Sequence, residues 1–306
     1  MTLHNILGDI HRARDWESSF TSWAQGPSKT EDAKSENAVC AIRNALEKSE
    51  ALAHRNFNVI LQGSYNNRVN VRQNSDVDVG IVCHSTFFYS LPEGYTAAHF
   101  GIAPATYEYY QLRNDVERAL VAHFGDSAVH RGNKAFDITA NSYRVEADVA
   151  AFFDHRIYSP NGSYVEGVQL RADDGDHIIN WPDQHYASGV SKNTITRRRY
   201  KRVVRIVKRL CIEMAENGIG ATNTISGFLI ECLLWNVPNE HFAHNTYKAA
   251  VREVLAHLFN NTRSREQCAD WVEVSELKYL FDDAQPWTRQ QAHAFVDAAW
   301  DYIGLE

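Results

Sequence analysis

The chain has 306 residues, of which 44% are apolar and 23% charged, with a formal net charge of −7. That length holds one large or two small domains of ordinary globular composition, and the acidic balance argues against a protein built mainly to grip a nucleic-acid backbone. No apolar run approaches the ~20 residues of a membrane helix, and the five cysteines (Cys40, Cys83, Cys211, Cys232 and Cys268) show no C-x-x-C pair, so neither a zinc site nor a disulfide framework is read. The opening residues Met1 to Asn5 carry no basic stretch followed by an apolar one, so no secretory signal is read and a cytoplasmic protein with reduced thiols is expected.

In chain order, Ile10 to Ala24 has helical apolar spacing with Trp16, Phe20 and Trp23. Asp32 to His54 repeats Ala33, Val39, Ile42, Leu46 and Leu52 near the 3.6-residue period. Asn58 to Leu61 is an apolar strand that ends in Gly63-Ser64. Asp76 to Cys83 is a second strand. Thr86 to Pro104, aromatic and punctuated by Pro and Gly, reads as an irregular excursion. Tyr107 to Phe124 reads as a helix, and Val129–His130, Ala135–Ile138 and Tyr143–Phe153 as short strands. Asn161 to Gln184 is rich in turn residues. Beyond it, helical segments are predicted near 195–217, 222–235, 246–260, 265–281 and 288–303. The shift in character near residue 185 divides the chain into an α/β part, 1–185, and a helical part, 186–306.

Two features carry chemistry. Gly63-Ser64 and Asp76-Val77-Asp78 are separated by eleven residues. On a strand, Asp76 and Asp78 share one face while Val77, Val79 and Ile81 take the other. Two adjacent carboxylates repel unless a cation lies between them, and hard oxygen ligands suit Mg²⁺ with substrate phosphates. A Gly at the end of a strand lets backbone N–H groups approach a phosphate, and a small hydroxyl adds a donor. Phosphate cradle and two-acid site together equip a protein for metal-assisted phosphoryl or nucleotidyl transfer. A further strand offers Glu146 and Asp148 on one face, and spacing does not choose between them. The second feature is the stretch Gln184 to Ile212, which holds no acidic residue and nine cations. On a helix, Lys201, Arg205 and Lys208 share a face, and Val203, Val207, Leu210 and Met214 share another. Asp173-Asp174-Gly175-Asp176 lacks the downstream Glu of a calcium loop and reads as a solvated turn. The histidines show no metal-binding spacing. Tyr65 and Trp181 could stack on a base or serve the core.

The Gly-Ser/Asp-x-Asp pattern resembles the polymerase-β-type nucleotidyltransferase superfamily. The stretches Val145 to Phe153, Ile178 to Pro182 with Thr196 to Leu210, and Ile225 to Leu233 are similar to one branch, the cGAS/DncV-like nucleotidyltransferases of bacterial antiphage (CBASS) systems. Asn66-Asn67-Arg68 departs from the small turn of many relatives. The resemblance implies an α+β fold: a polymerase-β-like core of mixed sheet flanked by helices, over 1–185, and an oligoadenylate-synthase-like helical domain over 186–306. It implies Asp76, Asp78 and Asp148 as catalytic and metal-binding acids with two Mg²⁺ ions, or Mn²⁺ in their place. It places Gly63, Ser64, Lys208, Lys201 and Arg205 on donor phosphates and Ser226, otherwise an N-cap, near the nucleobase. The implied activity joins NTPs, ATP with GTP or UTP, into a cyclic di- or trinucleotide messenger for a separate effector protein. The alternative is a linear, template-independent transferase. A monomer with no stable nucleic-acid partner and no membrane association is expected.

Overall fold

The computed structural model describes residues 14–71, 77–141 and 146–305. The helices of more than one turn and the strands run α1 (Trp16–Trp23), α2 (Lys29–Glu47), β1 (Phe57–Leu61), β2 (Val77–Ser90), α3 (Tyr109–Phe124), β3 (Val129–Arg131), β4 (Phe136–Ile138), β5 (Ala147–Tyr158), β6 (Tyr164–Arg171), β7 (His177–Asn180), α4 (Pro182–Ile195), α5 (Tyr200–Glu216), α6 (Gly227–Trp235), α7 (Tyr247–Thr262) and α8 (Arg289–Ile303). They gather into two compact units. One holds residues 28–66, 77–141 and 146–183, and the other 14–27, 67–71 and 184–305.

The first unit is built on a mixed seven-stranded sheet. Antiparallel β1 pairs with β2, and β2 pairs in parallel with β5. β5 then pairs antiparallel with β4 and with β6, and β6 with β7. At the start of β2 Val77, Val79 and Ile81 are buried and at the start of β5 Ala147, Val149 and Ala151, and further along Val82, Cys83, Phe152 and Phe153 are buried as well. A buried Val or Ile side chain contributes about 1.5–3 kcal/mol by leaving water, while Asp78 and Asp148, between buried neighbours, are only half-buried. α2 starts cleanly because Ser28 and Glu31 form a reciprocal capping box.

Three local expectations are corrected here. Residues 86–90 are strand, because β2 passes a register shift between Cys83 and Phe87 and continues beside β5 to Ser90. The turn-rich 161–184 stretch holds β6 and β7, its turn residues forming the tips of two hairpins. Residues 265–281 form no long helix but a short 3₁₀ turn, Glu266–Cys268, and an isolated bridge between Val272 and Tyr279.

The second unit is helical. Tyr200, Val203, Val207, Leu210 and Met214 of α5 are wholly buried, and Trp16, Phe20 and Val69 join them in one core. That packing is why α1, counted with 1–185 from sequence, clusters with the helical unit. α4 and α5 are separate helices, since Arg197 and Arg198 adopt left-handed φ of 52° and 65° between them. Among the described residues no helix is long and apolar enough to cross a membrane.

Candidate active site

The parallel register sets Asp78 of β2 directly opposite Asp148 of β5. Directly paired residues point to the same face, with Cβ atoms about 5 Å apart. Both acids are half-buried and interleave with buried Val77, Val79, Ala147 and Val149. The register thus pairs Asp148 with Asp78; its neighbour Glu146, exposed, lies just before β5. Asp76 lies outside the described residues.

Gly63 closes the site from β1. Its φ is +59°, a left-handed value that glycine adopts without penalty. A Cβ there would overlap the Asp78 carboxylate, with Asp78 Cγ only 2.7 Å away. Backbone therefore meets carboxylate where no side chain fits. The adjacent Gln62 N–H donates to the Asp78 carbonyl at 2.8 Å, which ties the end of β1 to the acid-bearing residue. Ser64 is half-buried, in the single turn Gly63–Asn66 that follows. Tyr65 is buried in that turn, and Trp181 is buried against Gly167, so both serve the core.

A third acid was not singled out from sequence. Asp137 of β4 is the partner of Asp148 on its other side and is exposed. Nothing in a three-residue strand marks it, and only the register reveals the row. Among the described residues no three His, Cys, Asp or Glu side chains stand close enough to hold a metal ion by themselves. Asp78 and Asp148 supply two hard oxygen donors on one face, which fits a Mg²⁺ site completed by substrate phosphate.

The helical unit holds the cations. Lys201, Arg205 and Lys208 are each buried on α5. Arg205 is a brace: its Nε and Nη2 donate to the Ala24 carbonyl at 2.9 and 2.6 Å, and its Nη1 to the Arg68 carbonyl at 2.5 Å. Its three nitrogens each donate to one of these carbonyls, using three of the five guanidinium N–H groups. The Lys201 ammonium lies 5.5 Å from the ring centre of exposed Tyr186. Lys208 Nζ lies 3.5 Å from Glu231 Oε2 and close beneath Gly227, whose added Cβ would stand 3.5 Å from Lys208 Cε. Ser226 is the N-cap of α6, its Oγ accepting from the Leu229 N–H at 3.0 Å.

Glu231, overlooked as a site residue in the sequence, is the hub of this cluster. It is 2% exposed. Its Oε1 lies 3.0 Å from His185 Nε2. Burial alone would raise its carboxyl, but Lys208, the His185 hydrogen bond and Lys201 outweigh that and hold it below the usual carboxylate range. An ionised carboxylate only accepts, so His185 carries its proton on Nε2. In the acidic turn after β6, Asp173 accepts from Arg113 at 2.8 Å and from Arg131 at 3.1 Å.

Residues 187–304 match the family model of the cGAS/DncV-like nucleotidyltransferase C-terminal helical domain. Over 292 residues, 95% of this chain and 99% of the relative, it is 39% identical to a cyclic dipyrimidine nucleotide synthase CdnE of Cecembia lonarensis. It is 40% identical over 294 residues, 94% and 98% of the two chains, to a protein of the same description from Legionella pneumophila. A solved structure of the Elizabethkingia meningoseptica CdnE cyclic dinucleotide synthase with GTP and Apcpp superposes with a TM-score of 0.80 at 35% identity, covering 95% of this chain and 100% of that one.

Proposed function

From the premise that the chain belongs to the cGAS/DncV-like nucleotidyltransferases, we propose how its residues perform the family's work. The protein is a nucleotidyltransferase that makes a cyclic oligonucleotide from NTPs and releases pyrophosphate. The finer reading is a cyclic dinucleotide. A ribose hydroxyl of one nucleotide attacks the α-phosphorus of another, pyrophosphate leaves, and a second such step closes the ring, so two NTPs yield one ring and two pyrophosphates. The observation that carries this reading is the register that sets Asp78 beside Asp148, with Gly63 backbone against the Asp78 carboxylate.

Asp78 and Asp148, with Asp76, would hold two Mg²⁺ ions, or Mn²⁺ in their place. Such ions, when bound, lower the pKa of an attacking hydroxyl and offset the charge on a leaving pyrophosphate. The turn that begins at left-handed Gly63 would offer its backbone N–H groups to a phosphate, and the Ser64 hydroxyl would donate to it. In the helical unit, the start of α6 presents backbone N–H groups at Gly227 and Phe228, the positive end of a helix dipole. Lys208 lies beneath Gly227, so a nucleotide phosphate there meets both dipole and ammonium. Lys201 adds a second cation, and Ser226 keeps the helix start in place. The similar proteins include one described by pyrimidines and one solved with GTP, so ATP, GTP and UTP are all candidate substrates. The product would act on a separate effector in antiphage signalling, the synthase working as a cytoplasmic monomer.

The test is incubation with labelled NTPs and Mg²⁺ followed by phosphatase. A ring has no terminal phosphate and keeps its label in the dinucleotide. A product trimmed by phosphatase would move the protein to the linear, oligoadenylate-like class.

A further inference from the structure

We propose that Glu231 is a positioning residue for nucleotide binding, acting through Lys208. The proposal rests on the reading of Lys208 as a phosphate ligand and adds a residue to it. A carboxylate 2% exposed among the apolar side chains of α6 is costly unless paired. Its neighbours in the core, Leu229, Ile230, Cys232, Leu233 and Leu234, have no such need.

Three contacts fix where this carboxylate stands. The Tyr200 hydroxyl donates to the Glu231 backbone carbonyl at 3.2 Å, which pins α6 to α5 at that residue. His185 Nε2 donates to Oε1 at 3.0 Å and sets the plane of the carboxylate. The remaining oxygen, Oε2, faces Lys208 Nζ at 3.5 Å. That distance is long for a charge-assisted hydrogen bond, which is usually nearer 2.8 Å. The Glu231 contact thus restrains the lysine by charge across a distance longer than a short bond. A flexible four-carbon stem carries large rotamer entropy, and a fixed counter-charge removes part of it before the phosphate arrives. Among the described residues, Lys201 from the same helix and His185 from α4 also act on the Glu231 carboxylate. Two lysines thus act on one carboxylate, and both ammonium groups suit an anion.

The experiment measures inorganic tripolyphosphate binding by calorimetry, and KM and kcat for NTP, in wild type, Glu231→Gln, Lys208→Met and the double variant. Glu231→Gln keeps the shape and the acceptor for His185. It is expected to raise Kd and KM at least fivefold and to leave kcat within twofold, as for a group that binds ground and transition states alike. Lys208→Met is expected to do the same or more. The double variant should bind no worse than Lys208→Met alone, because a residue that acts through Lys208 has nothing left to act through. Should Glu231→Gln prove too unstable to titrate, Glu231→Asp, which withdraws the carboxylate by one methylene, should show the same fivefold loss. A Glu231 variant that lowers Tm but leaves Kd and KM unchanged would overturn the proposal, as would losses that multiply in the double variant. Unchanged binding in Lys208→Met would remove the phosphate reading itself, and the proposal with it.

Discussion

At the scale of single residues, Gly63 is the position where chemistry and backbone geometry meet. Its left-handed φ costs any other residue about 1–2 kcal/mol, and its added Cβ would overlap the carboxylate of Asp78. Gly63→Ala is therefore expected to displace the Asp78 carboxylate, proposed above as a metal-binding acid, while leaving most of the core intact. A shift near 1 Å at a reacting group costs about 10²-fold in rate. Steady-state kinetics should show at least that loss in kcat, with a cooperative melting transition retained; wild-type kcat would show that the contact has no bearing on the chemistry. The Gly-Ser/Asp-x-Asp spacing was legible in the sequence because a two-residue strand period and a glycine after an apolar run are local signals. The pairing of Asp148 with Asp78 was not, since both Glu146 and Asp148 share a strand face and only the β2–β5 register brings one of them opposite Asp78.

At the scale of elements, α5 shows how a charge run divides its labour. Its apolar stripe, Val203, Val207, Leu210 and Met214, is buried as the helical period predicts. Its three cations look alike in sequence, yet Arg205 is turned onto the carbonyls of Ala24 and Arg68 while Lys208 meets Glu231. Arg205→Met should therefore cost roughly 2–4 kcal/mol of stability, because buried carbonyls lose charged donors. Urea denaturation would measure it, and KM for NTP should stay within about twofold if the residue is a brace. A large KM change with unaltered stability would return it to the phosphate site. Lys192 of α4 gives a pH signature in the same unit. It is buried, with Nζ donating to the Val237 carbonyl at 2.7 Å, and burial pushes its ammonium down to about 8. The unfolded chain keeps that proton to about pH 10.4. Between these values the unfolded state binds more protons, so stability rises with pH. Denaturation at pH 8 and pH 10 should show a gain on the order of 2 kcal/mol in wild type that Lys192→Met lacks. Strands β6 and β7 were hidden from sequence because Asn161, Gly162, Asp174 and Gly175 dominate their windows; those residues mark hairpin tips, and the alternation between the tips is short.

At the scale of the whole molecule, the chain returns to the helical unit in three separate stretches, 14–27, 67–71 and 184–305. Helical periodicity announced the third, and no local pattern could announce the first two. Trp16 and Phe20 mark α1 as a helix that must bury one face, but which core receives that face is settled by long-range packing with Tyr200 and its neighbours. The central claim concerns what this assembly makes. The most direct measurement is the intact mass of the product formed by the wild-type enzyme from all four NTPs with Mg²⁺, with Asp78→Asn run alongside. The predicted result is the mass of two nucleoside monophosphates less two waters, with no terminal phosphate, and its loss by more than ~10³-fold in Asp78→Asn. A product that retains a 5′-triphosphate, or a ring that Asp78→Asn still forms at the wild-type rate, would contradict the account.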